Sequence, residues 1–136
     1  YGDPWSPVLV TSWVSRLVDM GVRRISLSDT VGLAQPKTIT DLFNHLLQAY
    51  PDIVFGAHLH AKPNEAISKI KAAYAGGCRA FDSAMRGLGG CPMAKDELTG
   101  NVPTEKLLSF LTAQKAQNRV NMLHFESAYN TSFQVC

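Results

Sequence analysis

"DIVFGAHLHAKPNEAISKIKAAYAGGCRAFDSAM", residues 52–85, holds one complete structural unit. Its first part, Ile53 to His58, is an apolar run of strand length that ends beside two histidines spaced two apart. The next part places Ala66, Ile67, Ile70, Ala73 and Tyr74 on one helical stripe, opened by Asn64 and closed by Gly76-Gly77. Arg79 then begins a second strand-like run, "RAFDSAM". A strand, a helix and a further strand within about thirty residues make a βαβ unit, with parallel strands and a right-handed crossover.

The unit recurs toward the N-terminus. "RRISLSD" from Arg23 is a third strand-like run, and the apolar starts Ile25, Ile53 and Ala80 lie 28 and 27 residues apart. Between the first two, "PKTITDLFNHLLQAYP" aligns Ile39, Leu42, Phe43, Leu46, Leu47 and Tyr50, with Thr38 as candidate cap, Asp41 three residues on, and Pro51 as the stop. At the N-terminus "WSPVLVTSWVSRLVDMG" offers Ser6 as cap, Pro7 in the first turn, the apolar set Leu9, Val10, Trp13, Val14 and Leu17, and Gly21 at its close. Beyond the last strand, "VPTEKLLSFLTAQKAQ" starts with Pro103 and carries Leu107, Leu108 and Leu111. The pattern predicts helix 6–20, strand 23–28, helix 38–50, strand 53–58, helix 64–75, strand 79–85 and helix 103–117, then a tail over 118–136 with only weak helical character. This is an α/β alternation with about three parallel strands. Three are few for a parallel sheet that stands alone, so the unit is expected to form part of a larger barrel or doubly wound sheet.

Composition narrows the function. The 136 residues carry a net charge of +2 spread over thirteen basic and eleven acidic side chains, with Arg23-Arg24 the longest basic run, so nothing points to nucleic acid or an anionic membrane surface. Three cysteines, Cys78, Cys91 and Cys136, form no CxxC pair and indicate neither a disulfide framework nor a cysteine zinc site. A reducing compartment is expected. Neither a membrane-spanning apolar run nor a signal-peptide pattern is present.

In parallel α/β folds chemistry gathers at the carboxyl ends of the strands. Those ends hold Ser28-Asp29-Thr30, then His58 and His60, then "RGLGGCP". Alternation puts His58 and His60 on one face. They fit either a pair satisfied by backbone or a bidentate fragment of a divalent-metal site completed by oxygen ligands. Three glycines ahead of Cys91 allow its thiol a close approach to a ligand, as proton donor or acceptor, unless it is a bystander in a turn. Asp82 either faces a barrel interior or pairs with Arg79 or Arg86, and Cys78 reads as a small buried apolar residue.

Taken together, "ISLSDTVGLAQP", "GAHLH", "AFDSAMRGLGGCP" and "TGNVPTE" resemble the 3-hydroxy-3-methylglutaryl-CoA lyase family, metal-dependent TIM barrels of the group that includes isopropylmalate synthases. The likeness runs in order from Tyr1 to about Glu105, and the glycine-cysteine loop is its most specific part. It implies strands six to eight of a (β/α)8 barrel, so that residues 1–136 form a single incomplete domain from the C-terminal half of that barrel. By resemblance His58, His60 and Asn101 bind the divalent cation, Mg2+ or Mn2+. Cys91 takes part in proton transfer, and Asp29 and His58 join it as catalytic residues. The implied reaction cleaves 3-hydroxy-3-methylglutaryl-CoA to acetyl-CoA and acetoacetate, a step of leucine degradation and ketone-body formation. The implied compartment is the cytoplasm, or the mitochondrial matrix in a eukaryote.

The sequence departs from the family at three points. Ala61 follows His60 where the family carries an aspartate, the stretch from Cys91 to Asn101 is about one residue longer, and its "AKDEL" segment is charged. The alternatives are an aldolase or acyl-CoA synthase of the same barrel group and a non-catalytic α/β binding or assembly module. Because the strand-one aspartate and arginine of the family are not in this chain, the resemblance implies weak metal binding, no activity for this piece alone, and a homodimer that covers raw strand edges and an apolar inner face. The Cys91 loop from Gly87 to Lys95 is expected to be among the least ordered parts.

Overall fold

The computed structural model describes residues 2–90 and 99–135. In chain order the elements are α1 (Pro7–Asp19), β1 (Arg24–Asp29), α2 (Pro36–Ala49), β2 (Val54–Ala61), α3 (Ala66–Ala75), β3 (Ala80–Phe81), β4 (Gly100–Asn101), α4 (Thr104–Ala113) and α5 (Met122–Val135), with a short 3-10 turn over Met85–Gly87. The sheet runs β1-β2-β3, all parallel, with Arg24 opposite Val54 through Asp29 opposite Leu59, and Gly56 and Ala57 opposite Ala80 and Phe81. β4 joins β2 antiparallel, setting His60 opposite Asn101 and Ala61 opposite Gly100. Among the described residues no helix is long and apolar enough to cross a membrane.

The two faces of the sheet differ sharply. Leu27 of β1 and Phe55, Ala57 and Leu59 of β2 belong to one core cluster with Val14 of α1, Ile39, Phe43 and Leu46 of α2, Ile70 and Ala73 of α3, and Leu107 and Phe110 of α4. All four helices therefore cover the same face. By register the opposite face carries Ser26, Ser28, Gly56, His58, His60 and Ala80. This corrects the expectation of an apolar inner face: its residues are small or polar, because the large side chains all turn toward the helices.

Most helix faces follow the periodicity, and the deviations have local causes. Ser6 caps α1 by accepting the Leu9 N–H at 3.1 Å, with Pro7 at the first position. Of the apolar set of α1, however, Leu9 and Trp13 are exposed and only Val14 is buried, since α1 meets the core along a narrow strip. α2 starts at Pro36, so Thr38 lies inside the first turn and the capping position falls on Gln35. α3 starts at Ala66, not Asn64, because Lys62 to Glu65 form a turn in which the Glu65 N–H donates to the Lys62 carbonyl. β3 keeps only two residues; past Asp82 the chain turns to α4, and the Ala84 N–H donates to the Val102 carbonyl. Within the tail, Met122–Val135 is a full helix.

α2 and α3 pack closely. Thr40 Oγ1 donates to the Ala72 carbonyl at 2.9 Å, and a methyl group built on Gly76 would lie 2.8 Å from both Phe43 Cβ and the Thr40 carbonyl oxygen. The φ of Gly76 is −71°, so close approach alone requires glycine there. Gly76→Ala is expected to lower stability by about 1–3 kcal/mol through overpacking. Urea unfolding with an unchanged m-value would register the loss.

Candidate active site

The carboxyl end of β2 carries His58 and His60 on the polar face, with ring centroids 5.5 Å apart and planes tilted by 48°. His60 is 5% exposed. Its Nδ1 is buried and has no hydrogen-bond partner among the described residues. Burial, and next the neighbouring His58, hold its pKa below the usual histidine value, so the ring is kept neutral. A neutral imidazole with a buried unpartnered nitrogen is the form that ligates a metal.

Asn101 faces His60 from the antiparallel strand β4. Directly opposed residues share a face. The Asn101 Nδ2 donates to the carbonyls of Leu88 at 2.9 Å and Gly89 at 3.0 Å. Both amide protons are thereby used, and the side chain also hydrogen-bonds the His60 ring, a contact that offsets part of the lowering of that histidine's pKa and that engages the amide oxygen as acceptor. The approach of β4 to the glycine turn depends on Gly100, where a methyl would lie 2.7 Å from the Gly87 carbonyl oxygen. Arg86, at φ 59°, is held in this turn from two sides: its N–H donates to Glu105 Oε2 at 3.0 Å, and its guanidinium donates to the Ser132 carbonyl and stacks over Phe133 of α5.

Asp29 lies at the end of β1, and its carboxylate is engaged on several sides. It accepts the Leu33 N–H at 3.0 Å, the Ala34 N–H at 2.8 Å and the Lys69 ammonium at 3.0 Å. Lys69, 3% exposed, also donates to the Gly32 carbonyl at 2.8 Å and to the His60 carbonyl at 3.0 Å. The sequence signal of this lysine is its place between Ala66 and Ile70 on the apolar stripe of α3, where a charge requires a buried partner.

Asp82 lies on the inner, polar face of the sheet, the first of the two alternatives drawn from sequence, and its partner there is a histidine. Its Oδ2 lies 3.2 Å from His58 Nδ1. Arg79 instead donates to the Tyr74 and Cys78 carbonyls and stacks 3.8 Å over the Tyr74 ring. Cys78 is buried, as expected, and burial pushes its thiol up to about 11. Cys91 lies outside the described residues, as does much of the Gly87-to-Lys95 loop. Among the described residues no group of three His, Cys, Asp or Glu side chains is placed to hold a metal. The donors brought together are thus His58, His60 and Asn101, with Asp29 in the scaffold below.

A parallel α/β segment with its imidazole and amide donors at the strand carboxyl ends defines a barrel-type site. The chain belongs to the HMGL-like family, whose model matches residues 5–131. It is 39% identical over 114 residues to a hydroxymethylglutaryl-CoA lyase of Pseudomonas mevalonii, covering 81% of this chain and 38% of that protein. It is 37% identical over 103 residues to an (R)-citramalyl-CoA lyase of Chloroflexus aurantiacus, covering 76% of this chain and 32% of the relative. The crystal structure of a Bacillus subtilis HMG-CoA lyase superposes with a TM-score of 0.86 at 27% identity, covering 98% of this chain and 45% of the other. The chain thus spans about a third of the length of these curated relatives, and its sheet is a portion of a TIM barrel.

Removing Lys69 would leave the Asp29 charge buried without its cation. Lys69→Met is expected to cost about 3–5 kcal/mol. Combined with Asp29→Asn it should cost less than the two single changes together, with a coupling of about 0.5–3 kcal/mol. A double-mutant cycle by chemical denaturation measures both quantities.

Proposed function

We propose that this chain supplies the histidine part of a divalent-metal site in a carbon–carbon lyase acting on 3-hydroxy-3-methylglutaryl-CoA. The observation that carries this reading is the buried, unpartnered Nδ1 of His60 opposite the committed amide of Asn101. His58, His60 and Asn101 would hold Mg2+ or Mn2+. When bound, the ion supplies Lewis-acid chemistry, acidifying the substrate hydroxyl and stabilising negative charge on the departing fragment.

The chain's own residues contribute position and protons. The carbon–carbon bond breaks as the tertiary hydroxyl gives its proton to a general base from the part of the barrel outside this chain and becomes the ketone of acetoacetate. The bonding pair passes to the acetyl-CoA carbon, and the Cys91 thiol delivers a proton there. His58 completes the proposed catalytic set at the end of β2. Asp29 serves by position: its contacts hold the β1–α2 connection and, through Lys69, the main chain of His60. A second substrate reading, citramalyl-CoA, is favoured by the similarity to the Chloroflexus lyase, since the acyl group is not specified by these residues. The cytoplasm, or the mitochondrial matrix of a eukaryote, fits the free thiol of Cys78.

Two imidazoles and one amide oxygen underserve a hard cation, which takes six or more oxygen-rich ligands. The isolated chain is therefore expected to bind Mn2+ with a Kd of about 10⁻⁴ M or weaker. Titration followed by electron paramagnetic resonance should show that binding disappear in His60→Ala and Asn101→Ala. Micromolar affinity would mean that the site is already complete. Acetoacetate released from 3-hydroxy-3-methylglutaryl-CoA by a protein containing this chain, with Mn2+ and not with chelator, tests the reaction. No product under any metal condition would favour a non-catalytic module.

The isolated chain is also proposed to self-associate. Among the described residues β1 and β3 each pair with a strand on one side only, so the β1-β2-β3 order ends in two sheet edges open to further strand pairing. Light scattering should give about twice the 14.9 kDa chain mass. A monodisperse monomer with unfolding independent of concentration would contradict this.

A further inference from the structure

We propose that Asp82 is the positioning residue of His58, supplying to that ring a carboxylate that Ala61 does not provide. This inference rests on the reading of His58 as a metal ligand and extends it to a residue outside the ligand set.

The geometry follows from the sheet. β2 and β3 run parallel with Ala57 opposite Phe81, and the Asp82 N–H continues the pairing by donating to the Ala57 carbonyl. That bond places Asp82 beside His58 on the polar face. The Asp82 Oδ2 then lies 3.2 Å from His58 Nδ1. An ionised carboxylate only accepts, so the shared proton sits on Nδ1. In the neutral ring this leaves the Nε2 lone pair as the ligating electrons, at the far side of the imidazole from Asp82. A carboxylate on the second nitrogen of a metal-ligating histidine fixes both its tautomer and its ring orientation.

The position of Ala61 explains why the carboxylate arises from the neighbouring strand. By alternation Ala61 shares the face of Leu59, opposite to that of His58 and His60, and it is 3% exposed, so a carboxylate there would be buried away from the His58 ring. Asp82 reaches the site from β3 while remaining in contact with solvent, with a side chain 57% exposed. Its removal therefore opens no cavity in the core, and the fold is not at stake in the test.

The experiment reads the tautomer directly, in the metal-free chain. With 15N-labelled histidine at a pH where the rings are neutral, long-range proton–nitrogen correlations separate Nδ1–H from Nε2–H. His58 is expected to carry its proton on Nδ1, to shift toward Nε2–H in Asp82→Ala, and to keep Nδ1–H in Asp82→Asn, which retains an acceptor oxygen. His124 serves as internal control. A wild-type His58 protonated on Nε2, or populations unmoved by Asp82→Ala, would overturn the proposal. A parallel Mn2+ titration should show affinity weakened by about 10–100-fold in Asp82→Ala and largely restored in Asp82→Asn; unchanged affinity would likewise overturn it. Failure of the wild-type chain to bind Mn2+ would count against the metal reading, while the tautomer measurement would still decide the role of Asp82.

Discussion

A single buried ammonium ties the site to the fold. Lys69, on the inner stripe of α3, donates to the carboxylate of Asp29, to the carbonyl of Gly32 and to the carbonyl of His60. These partners belong to the end of β1 with the connection that follows it, and to β2, so one side chain on α3 joins two neighbouring strand ends about thirty residues apart in sequence. Isolated, such a charge would be costly to remove from water. Here each of its three protons has an acceptor, and the acceptors are held by the register of the sheet and by the Asp29 contacts to Leu33 and Ala34. The placement of His60 is consequently set from behind, by its own main chain, before any ligand is considered.

The alternation of strand and helix was legible because burial imposes period: Ile39, Phe43 and Leu46 on α2, and Ala66, Ile70 and Ala73 on α3, are the residues the sheet covers. The His-x-His pair was legible for the same reason, since alternation alone puts both rings on one face. What periodicity does not encode is how far an element's partner extends. Leu9 and Trp13 follow the stripe of α1 yet stay exposed, because the described core meets that helix at Val14. β3 looked seven residues long and pairs over two, since the chain is drawn away by α4 once Asp82 has donated to Ala57.

Contacts between elements were the hardest to foresee. β4 is two residues of a glycine-asparagine pair, too short to carry a pattern, and its existence depends on the close packing of Gly100 on Gly87. Lys69 announces itself by falling on the apolar stripe of α3, but which groups would accept its protons is set by the tertiary fold. Asp82 faces the interior, as one of its two sequence readings has it, but its partner there, a histidine 24 residues earlier, is set by strand register and carries no local signal. The inner face was misjudged by counting apolar residues without assigning sides: Ile25, Leu27, Phe55 and Leu59 turn to the helices, leaving serines, histidines and glycine on the other side.

The antiparallel return of β4 on β2 has a consequence for the order in which a growing chain acquires this site. β1 leaves the ribosome before β2, so the sheet pairing of the histidine strand can begin as soon as that strand emerges. Asn101, which stands opposite His60, follows about forty residues later. At roughly 5–20 residues per second this interval lasts several seconds. During it the strand holds its histidines with Lys69 already translated behind them, but without the amide that faces His60. Vectorial synthesis thus builds the strand pairing first and adds β4 last, so the nascent chain passes through a stage in which His58 and His60 are presented without the residue that stands opposite His60.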